Sequence, residues 1–125
     1  MTGKKTNFIS FLFPVFNSEK TISILVDLLV KELKQKCNFE IILVNDCSTD
    51  QSEEVCQSRY NKYKKMVRVF SLAENVGEHN AVMAGLNQAR GDFAVIMDDD
   101  FQNPVSDAVR LIQTCLLYTS DAADD

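Results

Sequence analysis

Positive charge is in deficit in this sequence: 13 Lys and Arg stand against 18 Asp and Glu, a net charge of −5. That balance offers no footing for nucleic acid or anionic lipid, and no nucleic-acid partner is expected. Cysteine is sparse and unpatterned. Of the four, Cys115 falls in the tail set apart below; Cys37, Cys47 and Cys56 are then odd in number and lack C-x-x-C spacing, so neither a disulfide framework nor a zinc site is indicated. A reducing cytoplasm is the expected setting. No apolar run approaches the roughly 18 residues of a transmembrane helix. Lys4 and Lys5 precede an apolar stretch, but Phe8 to Phe16 contains Pro14 and has no small-residue cleavage site after it. It is therefore read as a strand, not a signal peptide. Neither G-x-G-x-x-G nor G-x-x-x-x-G-K-[ST] occurs, which argues against a dinucleotide fold or a P-loop NTPase. There are no repeats, linkers or low-complexity tracts, so 125 residues at 46% hydrophobic and 25% charged read as one globular domain.

The last eleven residues, "CLLYTSDAADD", resemble the translation of a transposon-type sequencing adapter. They are expected to be non-native and are set apart from fold reasoning. Removing their three aspartates brings the net charge from −5 to −2. Residues 1–114 are then expected to be the N-terminal part of a longer protein, interrupted inside a helix.

What is present alternates. Residues 7–14, "NFISFLFP", form an apolar run ended by proline and read as a buried strand. Residues 19–35 place Ile22, Leu25, Val26, Leu29 and Leu33 at helical spacing. "FEIILVND" (39–46) reads as a second buried strand. Asp50 and Glu53 have capping-box spacing and predict a helix start. "VRVFSL" (67–72) alternates like a third strand. Residues 77–91 predict a helix ending at Gly91 as its cap, 92–98 a fourth strand, and 106–114 a fourth helix. The order β-α-β-α-β-α-β-α predicts a Rossmann-like open, mainly parallel sheet with right-handed crossovers and helices on both faces.

In such a sheet every strand's carboxyl end lies on one edge, where ligands bind. Polar and acidic residues follow all four strands: "PVFNSE" (14–19), "NDCSTD" (45–50), "AENVGEHN" (73–80) and "DDDFQN" (98–103). The last group is the most demanding. Asp98, Asp99 and Asp100 follow an apolar strand with no Lys or Arg within seven residues. Their mutual repulsion calls for a cation. Hard oxygen ligands suit Mg²⁺ or Mn²⁺, which bind through one or two carboxylates plus substrate phosphates. Side chains alternate on an extended segment, so Asp98, Asp100 and Gln102 share a side while Asp99 points elsewhere. An EF-hand loop fails, since the sixth position is not Gly and the twelfth is Val109. Asp46 can accept hydrogen bonds from a base or ribose, or cap a turn with Ser48. Phe16 can pack on a base or belong to the core. Gly77 permits a close backbone approach or positive φ. His79 at a helix start is assigned a surface role.

Taken in order, "FPVFNSEKTI", "EIILVNDCSTDQSEEV" and "NVGEHNAVMAGLNQARGDFAVIMDDDFQNP" resemble a family 2 glycosyltransferase of the A-type fold. The match runs over nearly all of residues 8 to 112 and is most similar to the polyprenyl-phosphate branch, which includes dolichyl-phosphate mannose synthases and bacterial undecaprenyl-phosphate sugar transferases. The resemblance implies sugar transfer from a nucleotide-diphosphate sugar in cell-envelope polysaccharide synthesis. Pro14, Phe16 and Asn17 would line the base pocket, Asp46 would contact the base, and Gly77 would pass the ribose. Asp98 and Asp99 also fall on the nucleotide-sugar side, and Asp98, Asp100 and Gln102 would hold the metal. Two positions depart from the family pattern: Ser18 stands where Glu is usual, and Asn45 replaces a frequent Asp.

The resemblance also places the acceptor site, a catalytic base and any membrane attachment after this chain's end. The fragment is expected to hold a donor half-site and to be inactive alone. Its acceptor would be a polyprenyl phosphate or, as the alternative, a growing saccharide. The longer protein is expected in the cytoplasm, at the cytoplasmic face of the membrane. Two other classes compete. A nucleotidyltransferase would need a glycine-rich basic loop after strand one. A receiver-like module would carry acidic residues where Pro14 and Phe16 stand.

Overall fold

The computed structural model describes residues 8–97 and Arg110. Four strands, β1 (Phe8–Val15), β2 (Asn38–Asn45), β3 (Val67–Ser71) and β4 (Phe93–Ile96), form one parallel sheet in the order β3-β2-β1-β4. Helices α1 (Ile22–Leu33), α2 (Ser52–Lys62) and α3 (Glu78–Gln88) connect them. The chain steps from β1 to β2 to β3 in one direction and then returns past β1 to β4. A right-handed crossover puts the returning helix on the opposite face, and the core divides accordingly. Ile9, Phe11, Phe13 and Val15 pack with the α1 residues Ile22, Leu25, Val26, Leu29 and Leu33 and with Cys56 of α2. Leu12, Ile42 and Val44 pack on the other face with Ala81, Val82 and Leu86 of α3.

The strands carry apolar residues on both faces because both faces are covered. Pro14 lies inside β1, paired in register with Val44, and does not end the strand as expected. The reason is directional. Leu12 accepts a hydrogen bond on the β4 side, from Met97 at 2.8 Å, so Pro14, two residues on, also points its nitrogen that way. Pairing with β4 stops at Leu12 and Ile96, so the missing N–H costs no ladder bond.

Two helix boundaries differ from the sequence reading. α2 begins at Ser52. Gln51, not Asp50, is its N-cap; Asp50, one residue earlier, accepts from the Ser52 N–H at 2.9 Å, while Glu53 faces Asn45 Nδ2 at 3.5 Å and does not reach back to complete a box. α3 ends at Gln88 with Ala89 extended, and Gly91 is not a left-handed cap. Gly91 serves close approach: a Cβ there would sit 2.7 Å from the Ser10 nitrogen and 2.8 Å from the Phe8 carbonyl oxygen. Gly85 of α3 similarly presses on the Leu12 and Val44 side chains. Gly91→Ala is expected to lower stability by about 2–3 kcal/mol, because backbone atoms cannot yield. At Gly85 the overlap is with the Leu12 and Val44 side chains, which can shift further than backbone, and a helix-propensity gain of about 1 kcal/mol offsets part of the cost. Urea midpoints at unchanged m-value should therefore rank Gly91→Ala well below Gly85→Ala, and the reverse order would contradict this account. The expected fourth helix lies outside the described residues except for Arg110, which is helical.

A polar network crosses the α3 face near the amino ends of the strands. Glu40, 3% exposed, accepts from Ser10 Oγ (2.6 Å), the Arg90 N–H (2.8 Å) and Arg68 Nη1 (2.9 Å). Ser10 Oγ in turn accepts from the Gly91 N–H at 2.9 Å. Burial pushes the Glu40 carboxyl up, but these hydrogen bonds and the Arg68 charge outweigh it and hold the group below its ordinary range. Cys37, Cys47 and Cys56 are free thiols. Burial, with the Glu53 and Asp50 carboxylates nearby, pushes Cys56 up to about 12, so it is an inert core thiol.

Candidate active site

The carboxyl edge is built from the loops that follow β1, β2 and β3. Each contributes one residue at positive φ: Asn17 (51°), Cys47 (55°) and Gly77 (93°). These are the only such positions among the described residues, and they turn each loop back over the sheet edge. Beside these turns a half-open cavity of about 320 Å³ is lined by Pro14, Val15, Phe16, Asp46, Asn75, Gly77 and Glu78. The cavity sits at the carboxyl end of β1, the strand from which the order β3-β2-β1-β4 runs in both directions, and such a reversal point is where open α/β sheets bind ligands.

Asp46 organises the cavity. It is 3% exposed, and its N–H donates to the Val15 carbonyl at 2.8 Å, extending the sheet by one rung. Its carboxylate accepts from the Val76 N–H at 2.8 Å and the Gly77 N–H at 3.0 Å, while its carbonyl accepts from Asn75 Nδ2 at 3.2 Å. The carboxylate thus grips the backbone of the β3–α3 loop and sets its path past the cavity. Phe16, 47% exposed, supplies an aromatic wall. A half-exposed ring and a buried carboxylate lining one cavity suit a flat, hydrogen-bonding ring system.

Of the residues singled out from sequence, the cavity gathers Pro14, Phe16, Asp46 and Gly77. Asn17 is not among its lining. Its side-chain oxygen instead accepts from the Thr49 N–H (2.9 Å), Thr49 Oγ1 (3.2 Å) and the Asp50 N–H (3.4 Å), so it faces the neighbouring loop. Ser18 is buried; its N–H donates to Ser52 Oγ at 2.8 Å and its hydroxyl donates to the Phe16 carbonyl at 3.2 Å. Asn45 bonds Ser48 through its side-chain oxygen and donates toward Glu53. An aspartate there would lose that donor and face a second carboxylate. His79 is exposed at the start of α3. Asn75 and Glu78 line the cavity but were not singled out, although both flank Gly77 in the "NVGEHN" stretch.

Asp98, Asp99, Asp100 and Gln102 lie outside the described residues. Met97, which precedes them, is 4% exposed and is bonded to Leu12, two residues before the cavity-lining Pro14. By their chemistry alone, two carboxylates and an amide oxygen would be a hard donor set, suited to Mg²⁺ or Mn²⁺ and not to a thiophilic metal. Among the described residues no three His, Cys, Asp or Glu side chains cluster as a metal site. No helix among them is long and apolar enough to cross a membrane.

Residues 10–115 match the family model for glycosyl transferase family 2. The chain belongs to that family. It is 38% identical over 114 residues to the undecaprenyl-phosphate 4-deoxy-4-formamido-L-arabinose transferase of Proteus mirabilis, an alignment covering 90% of this chain and 35% of that protein. The chain therefore spans about a third of the length of the curated relatives it matches. Among solved structures, S. aureus TarS 1-349 in complex with UDP superposes with a TM-score of 0.65 at 32% identity, covering 85% of this chain and 32% of that one. A mannosyltransferase from Pyrobaculum calidifontis, solved with GDP-Man and Mn2+, shares the fold at a TM-score of 0.63 and 20% identity, covering 77% and 28%. The sheet and helices described above are those of A-type glycosyltransferases.

Proposed function

We propose that this chain is the donor-binding half of a family 2 glycosyltransferase that moves a sugar from a nucleotide-diphosphate sugar to a polyprenyl phosphate. The observation that carries the reading is the cavity at the carboxyl edge, where Phe16, Asp46 and Gly77 meet beside the strand that leads into Asp98. The base would lie against Phe16 and the ribose along the 75–77 backbone. Asp98, Asp100 and Gln102 would hold Mg²⁺ or Mn²⁺. The bound cation would stabilise charge on the departing nucleotide diphosphate. Polyprenyl phosphate is the acceptor class because the Proteus mirabilis relative is named for undecaprenyl phosphate. The full-length protein would work in the cytoplasm, against the membrane face that presents such an acceptor. Residues 115–125 would lie outside the domain and contribute nothing to the site.

Thermal shift with UDP, GDP and CDP, each with and without Mn²⁺, tests this directly. One nucleotide should raise the melting temperature in a metal-dependent way. Asp100→Ala should abolish the metal-dependent part and Asp99→Ala should leave it. Indifference to all three nucleotides would sink the donor-site reading, and equal loss in the two variants would sink the metal assignment. The same reading expects no sustained sugar transfer from these 125 residues alone.

A further inference from the structure

We infer that Asn17 is a positioning residue: it locks the loop after β1 onto the loop after β2 and thereby holds Phe16 at the cavity. The ligand in this inference rests on the donor-site reading above, whereas the lock rests on geometry. Phe16 is 47% exposed, so packing alone does little to fix its ring, and its flanks must do so. Residues 17–19 each bond to the segment 48–52. The Asn17 N–H donates to Ser48 Oγ at 3.1 Å, and the Asn17 side-chain oxygen takes the Thr49 and Asp50 N–H groups. The Ser18 N–H donates to Ser52 Oγ, and the Glu19 N–H donates to Asp50 Oδ2 at 3.2 Å. Ser48 Oγ continues the chain by donating to Asn45 Oδ1 at 2.6 Å. Asn45 precedes Asp46, which grips Val76 and Gly77. The aromatic wall and the buried carboxylate thus belong to one frame, keyed at Asn17.

Asparagine suits the key for two separable reasons. It tolerates the φ of 51°, and it carries an acceptor at the right reach. Glycine supplies only the first and aspartate supplies both. The chain has no tryptophan, so Phe16→Trp introduces a single indole reporter at the cavity.

In the Phe16→Trp protein, ligand-free indole emission and anisotropy report the lock, and UDP titration with Mn²⁺ reports the site. Adding Asn17→Gly should red-shift the emission, lower the anisotropy and weaken UDP by about tenfold. Adding Asn17→Asp should keep all three readouts close to the parent, with affinity within about threefold. A residue that merely stabilised the fold would lower the melting temperature without moving the indole. If Asn17→Gly fails to fold, Ser48→Ala removes the acceptor of the Asn17 N–H from outside and should weaken UDP by about fivefold with the same spectral change. Parent-like emission, anisotropy and affinity in Asn17→Gly, or in Ser48→Ala where that stands in for it, overturns the inference. Absence of any UDP response with Asn17 intact overturns the donor-site reading alone, because the ligand-free indole comparison still decides the lock.

Discussion

Asp46→Ala should abolish measurable UDP binding and lower stability by about 2–4 kcal/mol. The carboxylate is 3% exposed and is the acceptor for two backbone N–H groups, those of Val76 and Gly77. Hydrogen bonds to a charged group contribute about 1.5–3 kcal/mol each, and a buried donor left without a partner carries its desolvation cost. Removing both bonds leaves the β3–α3 loop tied to residue 46 only through Asn75 and its carbonyl, and Gly77 at φ 93° has no side chain to hold it in place. A ribose and diphosphate path along that backbone would then have to be ordered by the ligand itself. That cost corresponds to a loss of about 100-fold or more in affinity. Asp46→Asn should fall between, since one oxygen still accepts while its NH₂ opposes the other N–H. Urea denaturation and calorimetric titration with UDP and Mn²⁺ measure the two effects separately. Parent-like affinity in Asp46→Ala would show that the gripped loop has no part in donor binding.

Asp46 also marks the limit of what the sequence alone discloses. The strands were legible because parallel strands covered on both faces are continuous apolar runs, and alternation with helices dictates which edge collects the loops. That logic brought Pro14, Phe16, Asp46 and Gly77 to one place without any contact being known. What it could not supply is direction. Spacing says that a carboxylate stands at the edge, but not that its oxygens go to the Val76 and Gly77 backbone. Asn17 is the same case, adjacent to Phe16 in sequence yet bonded to residues 49 and 50 across the gap. Pro14 was read as a strand end because proline usually is one; that its nitrogen faces the side where pairing has already stopped depends on the β4 register. Ser10 and Glu40 were absorbed into runs read as apolar. Their partners lie 28 to 81 residues away, so no local pattern exposes the network, although a lone glutamate inside a buried strand demands a partner somewhere.

That network sets the second large effect, at the edge opposite the site. Glu40→Ala should destabilise the domain by about 3–5 kcal/mol, the usual cost of stripping one partner from a buried charged pair. Arg68 would keep the Gln88 carbonyl and the Phe70 ring but lose its carboxylate, and the Ser10 hydroxyl and Arg90 N–H would lose their acceptor. The same geometry dictates a pH dependence. The carboxyl is held below its ordinary value of 4.5, so the folded state releases this proton more readily than the unfolded chain does. Its stabilisation is therefore fully present above pH 4.5 and is lost as the pH falls through the lower, folded-state value. Glu40→Gln, which fills the same volume but cannot titrate, should lower the urea midpoint at neutral pH and flatten its decline on acidification. Nucleotide binding offers the control, because Glu40 lies at the amino ends of the strands and the cavity at the carboxyl ends. Glu40→Gln should lose stability while keeping parent UDP affinity where folded, whereas Asp46→Ala at the cavity loses both. An unchanged acid limb in Glu40→Gln would mean that other carboxylates carry the low-pH transition.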